Sequence, residues 1–260
     1  MTTALVTGAT EGIGYELAKC FARDGHDLVL VARSGEKLDR VASEMSTAYG
    51  VRTSCIAQDL SIEEGARRLF DEVRSRKIAV DFLVNNAGVG TYGPFAQADL
   101  ERELAMMRLN MISLTVLTKF FLAEMLRRGS GRILNVASTA AFQPGPLMAV
   151  YYATKAYVVA FTEALANELE GSGVTASVLC PGPTRSRFEE RAGMGASRLF
   201  RLPWVMQASE VAETAYRELM TGKTTIIPGL LNKLLAFSVR LGPRKLLPSI
   251  VRRFQEPGKP

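Results

Sequence analysis

Histidine and cysteine are scarce in this sequence of 260 residues. His26 is the only histidine, so a Ser-His-Asp hydrolase and a His-ligated metal enzyme both lack a residue that they need. Cys20, Cys55 and Cys180 are far apart and lie among apolar residues, which argues against paired disulfides and a metal site. We therefore interpret the cysteines as small core residues and His26 as a turn residue, and we expect no metal.

Linkers, internal repeats and low-complexity stretches are also missing, and a chain of this length fits one large α/β domain. The first strand-like run begins at Ala4, which leaves no room for a signal peptide. No apolar stretch reaches the roughly 18 residues that a membrane-spanning helix needs. These absences predict a cytoplasmic protein.

Short apolar runs alternate with longer helical patterns along most of the chain. The runs are residues 4–6, 28–31, 53–57, 82–84, 132–136, 175–179 and 225–227. This alternation predicts the α/β class: a single doubly wound, Rossmann-like domain with a parallel sheet of about seven strands and helices on both faces. Ligands of such sheets bind at the carboxyl ends of the strands.

A glycine-rich turn, Gly8-Ala9-Thr10-Glu11-Gly12-Ile13-Gly14, follows the first strand and precedes a helical pattern. Glycines let the backbone turn tightly and let a pyrophosphate approach, while the N-terminus of the helix offers free N–H groups to the anion. The spacing G-x-x-x-G-x-G differs from the G-x-G-x-x-G fingerprint, but its place in a βαβ unit favours a dinucleotide site.

Three polar groups suited to proton transfer occur in one stretch: Ser138, Tyr151 and Lys155. Tyr151 and Lys155 are four residues apart and so share one face of a helix. A phenol has a pKa of about 10, and a neighbouring ammonium lowers that pKa toward the range of general acid-base catalysis. Taken alone, this spacing also fits an ordinary amphipathic helix.

Together these motifs resemble the common single-domain branch of the short-chain dehydrogenase/reductase family, over about residues 1–227. Residues 7–14 resemble its TGxxxGxG cofactor loop, residues 85–88 its NNAG element and residues 181–182 its PG motif. Ser138, Tyr151 and Lys155 match its Ser and YxxxK positions, and Asn110 matches its active-site Asn. We therefore divide the chain into a catalytic region, 1–227, and an extension of the same domain, 228–260.

The resemblance implies hydride transfer between a nicotinamide and a substrate carbonyl or alcohol. Tyr151 then donates the proton to the carbonyl oxygen, Ser138 polarises that oxygen, and Asn110 positions a water. Lys155 holds the nicotinamide ribose and lowers the pKa of Tyr151. Tyr152 and Tyr157 are rival phenols, but the family register selects Tyr151. The implied cofactor-binding residues are Gly8, Thr10, Glu11, Gly12, Ile13, Gly14, Arg33, Ser34, Asp59, Leu60, Asn86, Ala87, Gly88, Tyr151, Lys155, Pro181, Gly182 and Thr184, with Ser186 as the alternative to Thr184.

The second strand ends with Arg33-Ser34, without the carboxylate that binds the ribose 2′-OH of NAD. Arg33 can hold a 2′-phosphate instead, so we predict NADP(H) as the cofactor. Glu11 argues against this choice, because some relatives that prefer NADP carry a basic residue there. Asp59 matches the family position near the adenine, and it also fits the N-cap region of the next helix.

Residues 185–204, here called the lid, follow the PG motif and are rich in apolar side chains. Those of the lid are Phe188, Met194, Leu199, Phe200, Leu202, Pro203 and Trp204; Phe142, Pro144, Pro146, Leu147 and Met148 precede Tyr151. They predict an apolar pocket under a mobile lid, for a bulky ketone, aldehyde or ketoacyl chain. Each side chain is equally compatible with simply packing the lid on the body.

Positive charge is concentrated in the tail, residues 226–260. Its cations are Lys233, Arg240, Arg244, Lys245, Arg252, Arg253 and Lys259, and its one acid is Glu256, so its charge equals the +6 of the whole chain. Apolar residues recur at helical spacing over 230–241 and 246–254. The tail thus predicts two basic amphipathic helices that lie on an anionic membrane surface, on a partner subunit, or as a cap on the chain's own cleft. The basic residues lack interleaved aromatics and a recognition motif, so we expect no nucleic acid partner.

Two functions of different class remain. An NADP(H)-dependent carbonyl reductase or alcohol dehydrogenase needs all four predicted active-site residues, which are present. A non-catalytic NADP-binding sensor or scaffold is expected to have lost at least one of them. A nucleotide-sugar epimerase would be a longer chain. The resemblance also implies a homodimer or homotetramer through long helices near 99–127 and 149–169.

Overall fold

The computed structural model describes residues 2–194, 197, 202, 204–239 and 243–256. Some residues of the predicted lid and tail lie outside the described residues: Leu199, Phe200, Pro203, Arg240, Leu241 and Lys259.

The core of the fold is a seven-stranded parallel sheet, as predicted. Its strands are β1 Thr3–Thr7, β2 Asp27–Ala32, β3 Thr53–Ala57, β4 Phe82–Asn85, β5 Gly131–Val136, β6 Val174–Leu179 and, after two short strands outside this sheet, β9 Thr225–Ile226. They are arranged in the order β3-β2-β1-β4-β5-β6-β9. The strand order reverses between β1 and β4, and ligands of open parallel sheets bind at such a crevice.

Helices cover both faces of this sheet. The helices are α1 Gly12–Arg23, α2 Gly35–Tyr49, α3 Gly65–Ser75, α4 Leu100–Met107, α5 Leu114–Arg128, α6 Ala149–Glu168, α7 Phe188–Arg191, α8 Ala208–Met220, α9 Leu230–Ser238 and α10 Leu247–Gln255. Alternation along β1 supplies both cores: Val6 packs with Phe21 of α1 on one face, and Leu5 packs with Phe121 of α5 on the other. Both predicted tail helices are present, as α9 and α10.

Two short strands frame the lid. β7, Thr184–Arg185, pairs in parallel with β8, Met206–Gln207, and the amide of Met206 donates to the carbonyl of Pro183 at 3.1 Å. The lid therefore leaves the body and returns to it at neighbouring points.

One helix contradicts the expectation that no apolar stretch is long enough to span a membrane. Leu100–Arg128 is a continuous 29-residue helical stretch, whose most apolar 18-residue window has a mean hydropathy of 1.4, enough by length and composition to cross a membrane. Core helices of soluble proteins meet the same criterion. Leu117, Phe121 and Met125 of this stretch are buried in the core below the sheet.

Candidate active site

A cleft opens at the carboxyl ends of the central strands. Its walls include most of the predicted site residues: Gly8, Glu11, Gly12, Ile13, Asn86, Ala87, Gly88, Ser138, Tyr151, Lys155, Pro181, Gly182 and Thr184. The turn after β1, the loop after β4, the face of α6 and the start of the lid thus meet around one space.

The glycine turn is tied to the loop after β4 by Asn86. Its Nδ2 donates to the carbonyls of Thr7 (2.8 Å) and Gly8 (3.2 Å). A Cβ on Gly14 would lie 2.3 Å from that nitrogen and 2.4 Å from the Gly8 carbonyl oxygen, and Gly8 itself has φ +67°. Only glycine fits at these points, and the resulting cradle at the N-terminus of α1 fits a dinucleotide's diphosphate.

Thr7 begins the motif of residues 7–14, but no separate role was predicted for its side chain. Its buried hydroxyl donates to the carbonyl of Val84 (3.2 Å) and accepts from the amides of Asn86 and Ala87, both at 3.0 Å. It thereby fixes the end of β1 against the end of β4. A polar residue ending an apolar strand was the available signal.

Tyr151 and Lys155 lie buried on one face of α6, as their spacing predicts. The Lys155 Nζ donates to the carbonyl of Val136 at 2.9 Å and lies 5.8 Å from the centroid of the Tyr151 ring. Burial lowers the pKa of Lys155 to about 8. The ammonium was predicted to lower the pKa of Tyr151, but in the structure burial raises that pKa, opposed by the hydrogen bond with Ser138.

Ser138 lies two residues after Val136, the last residue of β5, and hydrogen bonds to the backbone hold its side chain in place. Its Oγ accepts from the amide of Ala140 (3.1 Å), capping a short 3₁₀ helix, Thr139–Phe142, and contacts the Pro181 carbonyl at 3.4 Å. The loop after β5 and helix α6 thus bring together Ser138 and Tyr151, which are 13 positions apart in the sequence.

Asn110 lies in a π-helical segment, Arg108–Ser113, between α4 and α5. Its Oδ1 accepts from the amide of Val89 (3.1 Å), and its Nδ2 donates to the Val89 carbonyl (2.9 Å) and the Thr154 hydroxyl (3.1 Å). A Cβ on Gly88 would lie 3.3 Å from both Asn110 Oδ1 and Lys155 Nζ. Single π turns are common at functional sites, and this one places Asn110 and Lys155 on either side of Gly88.

The rival phenols are engaged elsewhere. Tyr152 accepts a hydrogen bond from Nε2 of Gln255 in the tail (2.5 Å), and its ring is close enough to Gly145 that a Cβ there would lie 2.2 Å away. Tyr157 is exposed and bonded to the Thr115 hydroxyl at 2.8 Å. This geometry favours Tyr151 as the phenol that faces Ser138 and Lys155.

The ends of β2 and β3 carry the predicted adenosine contacts. Arg33 is exposed, and Ser34 caps α2 by accepting from the Lys37 amide at 3.4 Å. Asp59 accepts from the amide and hydroxyl of Ser61 (2.8 and 2.6 Å). Asp59 is not an N-cap: α3 begins only at Gly65, so that alternative was wrong. The Leu60 carbonyl accepts from Ser113 at 2.5 Å.

Two hydroxyls follow the PG motif. Thr184 is buried and donates to the Gly182 carbonyl at 2.9 Å, while Ser186 accepts from the amide of Phe188 at 3.3 Å. Both residues line the cleft, so the choice between Thr184 and Ser186 as the cofactor contact stays open. A Cβ on Gly182 would lie 2.3 Å from Oδ1 of Asn232, because α9 packs directly on this loop.

The apolar end of the cleft is smaller than predicted. Met148, Phe188 and Met194 line it, with Val89, Ala140 and Tyr152. Phe142 instead packs in a cluster with Leu114 and Val158, away from the cleft walls. Pro144, Pro146 and Leu147 do not line the cleft, nor do Leu202 and Trp204 among the described lid residues.

The C-terminal helix α10 packs on the residues that line this apolar end, which favours the cap interpretation of the tail. Val251 packs in one cluster with Met106, Met148 and Tyr151. The buried Gln255 donates to Tyr152, and its carbonyl accepts from the Tyr92 hydroxyl at 3.0 Å. Sequence reasoning missed Gln255, since a lone glutamine in a basic helix carries no motif.

Comparisons with known proteins agree with this arrangement. A family model described as short chain dehydrogenase matches residues 2–195. A very-long-chain 3-oxoacyl-CoA reductase from Anas platyrhynchos is 36% identical over 184 residues, which are 68% of this chain and 58% of that protein. The chain covers less than two thirds of the length of the first curated relatives that it matches.

Two solved structures are similar over nearly the whole chain. A short-chain dehydrogenase from Sphingobium yanoikuyae in complex with NADPH has a TM-score of 0.83 and 33% identity, covering 93% of this chain and 94% of that one. The bulky-bulky ketone specific alcohol dehydrogenase from Comamonas testosteroni has a TM-score of 0.78 and 30% identity, covering 95% and 99%.

Proposed function

Since this chain belongs to the short-chain dehydrogenase/reductase family, we propose that it is an NADP(H)-dependent oxidoreductase acting on a carbonyl or alcohol group of a hydrophobic substrate. The observation that carries this proposal is the buried Tyr151, which is hydrogen-bonded to Ser138 and has Lys155 Nζ 5.8 Å from its ring centroid, in a cleft that the glycine turn also lines. The family acts through a nicotinamide cofactor, which supplies or accepts the hydride when bound.

Each residue then has one task. Tyr151 gives its phenolic proton to the substrate oxygen in reduction and takes it back in oxidation. The Ser138 hydroxyl donates a hydrogen bond to the same oxygen, where negative charge grows. Charged Lys155 binds ribose hydroxyls and favours the phenolate, against the burial that raises the pKa of Tyr151. Asn110, fixed by Val89, orients a water that passes protons toward solvent.

The test is a fluorescence titration with NADPH and NADH, followed by turnover on a panel of hydrophobic ketones, aldehydes and ketoacyl thioesters. Tight NADPH binding with carbonyl-dependent oxidation supports the reductase. Binding without turnover on any carbonyl supports the alternative, a non-catalytic NADP-binding sensor. Absence of binding to either nucleotide contradicts both functions.

NADP(H) is proposed over NAD(H) because the end of β2 presents Arg33 and the start of α2, with Ser34 as its cap. A guanidinium and a helix N-terminus both favour a 2′-phosphate. The structurally similar Sphingobium enzyme was solved with NADPH. Replacing Arg33 by Asp is expected to move the NADPH/NADH preference at least about tenfold toward NADH, the scale of one lost charged contact. An unchanged ratio of kcat/KM values would contradict the assignment.

A bulky apolar substrate is proposed from Met148, Phe188 and Met194, which line the cleft beside Tyr151. The similar proteins named for bulky ketones and for very-long-chain 3-oxoacyl-CoA agree with this class. In the substrate panel, kcat/KM should rise with apolar chain length. A preference for short polar carbonyls or sugars would contradict it.

Members of this family are generally oligomeric. We propose a homodimer or homotetramer through the long helices, where Ile112 and Leu126 of the first and Tyr157 of α6 are exposed apolar side chains. Sedimentation equilibrium is expected to give two or four chains per particle, and Leu126→Glu should shift that mass toward the monomer. A monomer for the unmodified protein would contradict the proposal.

We propose that the protein is cytoplasmic and that it contacts anionic membranes through the outer faces of the tail. Leu230, Leu234 and Phe237 of α9 and Ile250 and Phe254 of α10 are exposed, although α10 caps the cleft with its inner face. The tail's charge of +6 disfavours pairing with a second tail and favours an anionic lipid surface.

Sedimentation with lipid vesicles tests this contact. We expect binding to phosphatidylglycerol vesicles but not to phosphatidylcholine vesicles, with loss in high salt and in Leu234→Gln. Ile62→Gln, at an exposed isoleucine before α3, is the matched control and should bind normally. The proposal would be contradicted if the unmodified protein bound neutral vesicles equally well or bound no vesicles. It would also be contradicted if Leu234→Gln broke up the oligomer while the unmodified protein did not bind vesicles.

A further inference from the structure

Ion pairs join the lid to the glycine turn. Nη1 of Arg191 lies 2.6 Å from Oε1 of Glu11, and Nη1 of Arg187 lies 3.9 Å from its Oε2. Nearby, a Cβ on Gly12 would stand 3.3 Å from the Cβ of Ser186, so the start of the lid lies against the turn. One carboxylate at the start of α1 thus faces two cations of the lid across the cleft.

The same short helix, α7, has a second anchor in Phe188. The centroid of its ring lies 5.3 Å from that of Tyr151. A Cβ on Gly90 would come within 2.8 Å of the Phe188 ring, so this glycine makes room for it. Helix α7 therefore contacts both the glycine turn, through Arg191, and the Tyr151 ring, through Phe188.

Glu11 is a costly residue for this turn. A diphosphate approaches the N-terminus of α1, where a carboxylate repels it. Glu11 makes no capping bond to its own helix, and its side chain is only partly exposed. Two guanidiniums beside one carboxylate leave a positive charge at the rim, and Glu11, Arg187 and Arg191 all line the cleft.

We propose that these three residues form an ionic clasp that closes the lid. Glu11 is a positioning residue that aligns the lid, while Arg187 and Arg191 each have a second partner in the diphosphate of the nucleotide. The clasp rests on the proposed cofactor site but not on hydride transfer. Closing it also places Phe188 on Tyr151, which couples nucleotide retention to the shape of the substrate pocket.

Limited proteolysis without added nucleotide tests the clasp on the whole chain. Chymotrypsin cleaves after aromatic residues, and Phe188, Phe200 and Trp204 of the lid remain in every variant. Glu11→Gln and Arg191→Gln should each raise the initial rate of lid cleavage about threefold, the scale of a partly exposed ion pair. The double variant should be no faster than Glu11→Gln, because that change already removes both contacts of the carboxylate.

Arg185→Gln is the matched control. It removes the same charge from the same segment, and Arg185 makes no ion pair with any residue in the part of the chain that the structure describes. It should be cleaved at the wild-type rate, and the swap Glu11→Arg with Arg191→Glu should restore that rate. The clasp would be overturned if Glu11→Gln were cleaved at the wild-type rate or if the effects added in the double variant. It would also be overturned if Arg185→Gln were cleaved as fast as Arg191→Gln.

NADPH affinity gives a second readout. Arg191→Gln should weaken NADPH binding about threefold, whereas Glu11→Gln should leave it unchanged or tighter, since it frees both arginines for the diphosphate. Equal weakening in both variants would make Glu11 itself a nucleotide ligand and overturn the proposal. Failure of the wild-type protein to bind NADPH would sink the proposed function, while the proteolysis result would still decide whether the lid is clasped.

Discussion

The two walls of the cleft are held in different ways. The cofactor wall is fixed by buried and partly buried hydrogen bonds between Thr7, Asn86 and the backbone, with glycines where no Cβ fits. The substrate wall is formed by the lid and the tail, which are held by partly exposed ion pairs and a few aromatic and amide contacts. The proposed cofactor site is thus the more firmly held wall, and the proposed substrate side rests on weaker contacts.

The largest effect is expected at the junction of the two walls, from Tyr151→Phe. The change removes only the hydroxyl, and general acid catalysis contributes about 10² to 10⁴-fold, so kcat should fall at least that far. NADPH affinity should stay near wild type, because the ring and Lys155 remain. Stopped-flow turnover and fluorescence titration give the two numbers. Tyr152→Phe is the matched control, and substantial turnover in Tyr151→Phe would show that another group donates the proton.

The second prediction breaks the cofactor wall. Gly14→Ala forces a Cβ to within 2.3 Å of Asn86 Nδ2 and 2.4 Å of the Gly8 carbonyl. Such overpacking costs about 1–3 kcal/mol of unfolding free energy and should weaken NADPH binding, because the turn must shift. Urea unfolding and NADPH titration measure both. Gly35→Ala, where the nearest atom is 3.9 Å away, should change neither; equal loss in both variants would remove the special role of the cradle.

The same contrast separates the features that could be predicted from the sequence from those that could not. The seven strands, the glycine turn and the Tyr151–Lys155 face follow from local spacing, because each needs only one period or one turn. The π turn that places Asn110 was not foreseen, since nothing local distinguishes it from a regular helix. Gln255 lies 103 residues from Tyr152, so their contact depends on how the tail crosses the cleft. The pKa of Tyr151 depends on burial, which spacing does not report.

The third prediction concerns the buried ammonium under the substrate wall. Folding lowers the pKa of Lys155 from 10.5 to about 8, so the unfolded chain binds more protons between these two values, and stability rises with pH across that window. Below pH 8 the fold bears the full cost of the buried charge. Lys155→Met should therefore be more stable than wild type at pH 7, by up to about 3 kcal/mol, while losing turnover.

That advantage should shrink as pH rises from 8 toward 10.5. Urea midpoints at pH 7 and pH 10 measure it, with the exposed Lys119→Met as the control that should show no such trend. A Lys155→Met protein less stable than wild type at pH 7 would mean that the bond to the Val136 carbonyl outweighs the desolvation of the ammonium.

The smallest effect is expected where the tail meets the substrate wall. Gln255→Ala removes the bond to the Tyr152 hydroxyl but leaves the Tyr92 bond, which reaches the Gln255 backbone. A buried neutral hydrogen bond is worth about 1 kcal/mol, so KM for a bulky ketone should rise about fivefold with kcat little changed. Tyr152→Phe removes the same bond from the other side, and the double variant should resemble either single variant. Additive effects would show that Gln255 and Tyr152 act separately, and a fall in kcat alone would place the tail's contribution in the chemical step instead of the pocket wall.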